Sequence, residues 1–132
     1  MKAASIILVG MVLTGCMSAP SRQDLDAADY GPFPDHYQES IKDYMNRVLK
    51  DPDSAKYDFY KMPVKAWHRG AGANLYGWAT CVGINSKNSF GGYTGSLPTY
   101  FFIQDNVIME AKHSDAHAGI NASIVSEMCA KL

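Results

Sequence analysis

The segment Leu75 to Asn85 limits the possible folds more than any other part of the chain. Tyr76, Trp78, Thr80, Val82 and Ile84 alternate with Gly77, Ala79, Cys81 and Gly83. Successive side chains of a strand point to opposite faces, so this segment builds a sheet with one bulky and one flat face. A flat face lets a helix approach closely. Ile120, Ile124, Val125, Met128 and Cys129 recur at helical spacing, which predicts a helix over residues 119–130. Cys129 falls on its apolar stripe and Cys81 on the flat face of the strand, so both thiols belong to one helix–sheet interface. A Cys81–Cys129 disulfide is therefore expected, the alternative being two free buried thiols. Closing a loop of 48 residues corresponds to about 4 kcal/mol in the chain-entropy model.

The remaining elements follow from similar patterns. Asp35, with Gln38 three residues on, resembles a capping box, and Tyr37, Ile41, Tyr44, Met45 and Val48 give a helix over 35–50. Asp51 is expected to cap a single turn over Pro52 to Lys56. Strands are predicted at Tyr57–Met62 and Val64–Arg69, separated by Pro63. Tyr100–Gln104 and Val107–Ala111 form a hairpin around Asp105-Asn106. The fold class is α+β: a small antiparallel sheet of about four strands, with an N-terminal and a C-terminal helix packed on one face.

The N-terminus carries an address. Lys2 precedes an apolar run from Ile6 to Leu13, and Leu13-Thr14-Gly15-Cys16 resembles a bacterial lipobox. The run is short for a membrane span. The resemblance implies a signal peptide over 1–15, diacylglycerol and acyl chains on Cys16, and a periplasmic domain held by lipid. Met17, rather than Asp, after the cysteine resembles outer-membrane sorting. Residues 16–33 are polar and read as the lipidated N-terminus and a flexible tether, leaving 34–132 as a single domain. Without Lys2 the chain has 11 basic and 13 acidic side chains, so no polybasic surface is offered to nucleic acid.

The densest polar, glycine-rich run is Asn85-Ser86-Lys87-Asn88-Ser89-Phe90-Gly91-Gly92-Tyr93-Thr94-Gly95. It lacks the Gly-Lys-Ser/Thr of a phosphate loop. Asn85, Lys87, Asn88, Ser89 and Tyr93 are the candidate contacts to a polar ligand or a partner. The competing reading is a long strand connection whose Asn85, Asn88 and Ser89 bond their own backbone, with Phe90 and Tyr93 packed back on the body. With Asp51-Pro52-Asp53-Ser54-Ala55 upstream, this run resembles a pairing found in small uncharacterised proteobacterial exported proteins, many of them lipoproteins. The resemblance spans roughly residues 34 to 105 and implies a shared fold and an envelope address, with no catalytic assignment.

Catalytic signals are sparse. His113 and His117 stand four apart and would share a helix face as weak metal candidates, needing further ligands such as His68 or His36. Neither His-Glu-x-x-His nor Gly-x-Ser-x-Gly occurs. The expectation is a non-catalytic, lipid-anchored binding or assembly module that takes no cofactor and contacts the membrane and an envelope protein. The alternatives are a periplasmic metal-binding protein or hydrolase using His113 and His117, or an inhibitor of a cell-wall-degrading enzyme.

Overall fold

A computed structural model describes residues 18–114 and 122–132. The expected signal segment, Cys16, His117 and the first residues of the predicted C-terminal helix lie outside the described residues. Five strands form one antiparallel sheet: β1 (Lys56–Asp58), β2 (Val64–Arg69), β3 (Asn74–Asn85), β4 (Leu97–Gln104) and β5 (Val107–His113). β4 and β5 follow β3 outward on one side, while β1 and β2 both pair with its other edge. Tyr57 lies opposite Ile84 and Trp67 opposite Tyr76, so β1 and β2 form one edge strand broken in the middle. Pro63 has no N–H to give a ladder there. At the break, the Thr80 hydroxyl donates instead to the Lys61 carbonyl. The β4–β5 turn is Asp105-Asn106, with φ of 50° and 61°. Two successive left-handed residues make the tight hairpin turn that this dipeptide favours.

The described residues form three α-helices, α1 (Arg22–Ala27), α2 (Tyr37–Val48) and α3 (Ala122–Ala130). None of the described helices is long and apolar enough to cross a membrane. α2 sets Tyr37, Ile41 and Met45 on Val82 and Ile84 of β3 and on Phe101 and Ile103 of β4. α3 sets Val125 and Cys129 on Ala79, Cys81, Tyr100 and Phe102. Val82 and Ile84 of β3 therefore meet α2, while Ala79 and Cys81 on its other face meet α3. The helices occupy opposite faces, which corrects the expectation that they share one. The reason is the bulky face itself. With both helices on the flat side, Val82, Ile84, Phe101 and Ile103 would face water, at roughly 1.5–3 kcal/mol for each large side chain.

The flat face does receive the helix predicted for it. A side chain at Gly77 would meet Phe102 Cζ at 3.0 Å and the Ile103 carbonyl closer still, so β4 packs into space that only glycine leaves. Cys81 and Cys129 are joined by a disulfide, their Cα atoms 5.7 Å apart. Lys61 Nζ donates to the Cys129 carbonyl at 3.1 Å, tying the broken edge to the same helix.

The polar N-terminal stretch is not a free tether as far as residue 33. Ser21 and Asp24 form a reciprocal capping box that opens α1. The Tyr30 ring meets Tyr76 edge-on at 5.7 Å, Phe33 meets Trp78 at 5.2 Å, and Trp78 Nε1 donates to the Gly31 carbonyl. These aromatics cover the start of β3 on the bulky face. The Asp35–Gln38 capping box does not form. α2 starts at Tyr37 with His36 at the cap and no side-chain cap bond. Ser40 Oγ donates instead to the Asn106 carbonyl at 2.9 Å, so the hairpin turn secures the first turn of α2. The turn after Asp51 is a short 3-10 helix, Pro52–Ser54, closed by Ser54 Oγ donating to the Asp51 carbonyl rather than by the Asp51 side chain.

Alkylation followed by intact-mass measurement should find no free thiol at Cys81 or Cys129. Replacing both by Ala is expected to lower stability to urea by about 4 kcal/mol, the chain-entropy value for this loop. An unchanged midpoint would refute that contribution.

Candidate functional site

The connection from β3 to β4 continues the sheet as a narrower hairpin. Lys87 and Tyr93 form an isolated antiparallel bridge. The Asn88 N–H donates to the Gly92 carbonyl at 2.8 Å, and the Gly91 N–H returns to the Asn88 carbonyl at 3.0 Å. Asn88 Oδ1 accepts from the Phe90 and Gly92 amides at 2.9 and 3.2 Å. Asn85 Oδ1 accepts from the Gly95 amide at 3.1 Å. Gly91 and Gly95 have φ of 80° and 88°, where side chains are rarely tolerated. Ser54 Oγ accepts from the Lys87 amide at 2.9 Å, which joins the Asp51–Ala55 segment to the glycine-rich run. Those are the two segments on which the resemblance to exported proteins rests.

Asn85, Lys87, Asn88, Ser89 and Tyr93 thus come together on one hairpin, where Asn88, Ser89 and Tyr93 are exposed. The oxygens of Asn85 and Asn88 serve the backbone of the loop, whereas Ser89 is simply exposed. Lys56 and Lys87 place their Nζ atoms 4.7 and 5.7 Å from the centre of the Tyr93 ring. Such contacts contribute about 0.5–1 kcal/mol at exposed sites. Tyr93 remains 45% exposed, and Phe90 at the tip is 97% exposed. The reading in which both aromatics pack back on the body is corrected for Phe90, whereas the Tyr93 ring lies beneath Lys56 of β1 and Lys87.

His113 ends β5, and its Nδ1 lies 2.7 Å from the hydroxyl of the buried Thr99. It is therefore on a strand rather than on a helix face shared with His117. His68 lies on β2 and His36 at the start of α2, so the suggested additional ligands sit on separate elements. No group of three or more His, Cys, Asp or Glu among the described residues is arranged to hold a metal.

One polar cluster escapes sequence reading. On the flat face, His68 Nδ1 lies 2.9 Å from Glu110 Oε2, and Lys112 Nζ lies 3.2 Å from Glu110 Oε1. The His68 ring also contacts Phe102, with centroids 5.6 Å apart. His68 comes from one side of the sheet and Glu110 from the other, so only strand register brings them together. The spacing of Glu110 and Lys112 on one strand face was the available signal. The Glu110–Lys112 ion pair and the His68–Glu110 contact tie β2 at one edge of the sheet to β5 at the other. Beside this cluster, Lys65, Ala66, Tyr100, Met128 and Leu132 line a shallow, open groove.

Compared with known proteins, the chain matches no family model, no curated protein and no solved structure.

Asn88→Ala would remove the acceptor of two loop amides. Hydrogen exchange at Phe90 and Gly92 is expected to accelerate about tenfold, the equivalent of about 1.4 kcal/mol for a lost hydrogen bond, with the thermal midpoint nearly unchanged. Unaltered exchange would mean that Asn88 does not hold the loop. The Tyr100 hydroxyl is pushed up to about 12, first by burial and then by the negative charge of Glu110. The folded chain keeps this proton between pH 10 and 12 while the unfolded chain releases it. Stability should then fall with rising pH across that window, by on the order of 2–3 kcal/mol. Urea unfolding of Tyr100→Phe should show a flatter alkaline limb, and an identical limb would contradict the assignment.

Proposed function

We propose that this chain is a lipid-anchored lipoprotein of the bacterial outer membrane, its domain facing the periplasm as a non-catalytic binding or assembly module. The Leu13-Thr14-Gly15-Cys16 motif and the resemblance to exported lipoproteins support the address. One observation carries the binding role: the hairpin from Asn85 to Gly95 satisfies its own backbone and presents Phe90 almost wholly to solvent. A loop that is already ordered loses little entropy when it docks, and exposed aromatics are frequent anchors of interfaces. The role needs no cofactor and no nucleic acid. A rigid protruding loop also favours a second form of the same reading, insertion into the cleft of a cell-wall-degrading enzyme as an inhibitor.

Labelled palmitate should be incorporated into the wild-type chain in bacterial cells, and the chain should sediment with membranes. Cys16→Ser should lose both properties. Equal labelling of the two chains would remove Cys16 as the anchor. In the same membranes, crosslinking to a protein partner should weaken with Lys87→Ala or Tyr93→Ala, and full retention in both variants would exclude the loop.

A further inference from the structure

We infer that the Phe90 tip points away from the membrane holding the lipid, and that it docks into a partner protein with an apolar pocket for one aromatic ring. The inference rests on the reading of Cys16 as the lipid anchor. Its basis is the placement of two features at opposite ends of β3. The N-terminal segment is fastened at the start of that strand, with Tyr30 on Tyr76 and both Gly31 and Phe33 on Trp78. The glycine-rich hairpin leaves from its other end, after Asn85. From Tyr76 to Asn85 an extended strand covers about 30 Å, and the hairpin carries Phe90 beyond that.

The anchor has little freedom to cross this distance. Tyr30 Oη donates to the Leu25 carbonyl at 2.8 Å, holding α1 beside the Tyr76 end. With Cys16 as the anchor, the segment between the lipid and the capping residue Ser21 is Cys16 to Pro20. Those residues span at most roughly 17 Å when fully extended. The lipid is thus kept near one pole of the domain while Phe90 marks the other. A tip built to enter the anchoring bilayer would lie at the anchored pole.

The chemistry of the tip agrees with a protein partner. Lys56 and Lys87 lie back over the Tyr93 ring while Phe90 is 97% exposed, so the outermost large side chain of the hairpin is an uncharged aromatic ring. The Phe90 amide is held by Asn88 Oδ1, which orders the backbone that carries the ring.

Two measurements on the lipidated full-length chain test this. The first uses vesicles of phosphatidylethanolamine and phosphatidylglycerol that carry nitroxide lipids, with an environment-sensitive fluorophore on either Ser89→Cys or Arg22→Cys. The position 22 probe should be quenched severalfold more than the position 89 probe. Equal quenching at both positions would place the tip on the bilayer and overturn the inference. Absence of quenching at both would instead remove the anchor reading, and the inference with it. The second places a benzophenone amino acid at position 89 in living cells. It should give one discrete protein adduct, preserved in Phe90→Trp and reduced at least tenfold in Phe90→Ala. Lipid adducts alone, or a protein adduct indifferent to Phe90→Ala, would overturn the proposal.

Discussion

Burial of β3 on both faces is the constraint on which the rest of this structure depends. Val82 and Ile84 lie under α2, while Ala79 and Cys81 lie under α3. A strand of a small antiparallel sheet commonly has one face in water and then needs only one covering layer. Here both faces of β3 and β4 are apolar, so a helix is required on each side. The disulfide fastens one of those helices directly to the central strand, and the N-terminal aromatics extend the cover on the other side. A domain of this size has little apolar area to spare, which gives a covalent tie between layers a large share of its stability.

The same long strand separates two ends with different tasks. At one end, Tyr76 and Trp78 receive Tyr30, Gly31 and Phe33, and the Asp105-Asn106 turn receives the first turn of α2. At the other, Ser54 and the side chains of Asn85 and Asn88 hold the glycine-rich hairpin in shape. The docked N-terminal segment changes the geometry of the proposed anchor. A tether that is free as far as residue 33 would let any face of the domain reach the membrane. Fixing Tyr30 to Phe33 shortens the proposed tether and would restrict the orientation of the domain on it.

Much of the local structure was legible from residue patterns. The β2 limits, the β3 alternation, the Asp105-Asn106 turn and the pairing of Cys81 with Cys129 all follow from periodicity or turn chemistry. The errors arose where a distant partner decides. Asp35 and Gln38 match a capping box, yet the Asn106 turn supplies the acceptor that fixes α2. Tyr30 and Phe33 stand in a polar stretch, and only the half-buried Tyr76 and Trp78 of β3 give them a place to pack. In the candidate loop, the self-bonding role of Asn85 and Asn88 was readable from residue type. The exposure of Phe90 was not, because it depends on the absence of any neighbouring surface.

Sequence alone therefore determined the class of fold, the two faces of the central strand and the location of the glycine-rich run. These are properties of neighbouring residues, set by backbone geometry and side-chain size. Tertiary structure decided which helix covers which face, joined His68 to Glu110, and placed the N-terminal segment and the Phe90 tip at opposite ends of β3. The physical reason is that burial of apolar surface has no direction along the chain. It can be satisfied by any element that reaches, and only the assembled sheet determines which one does.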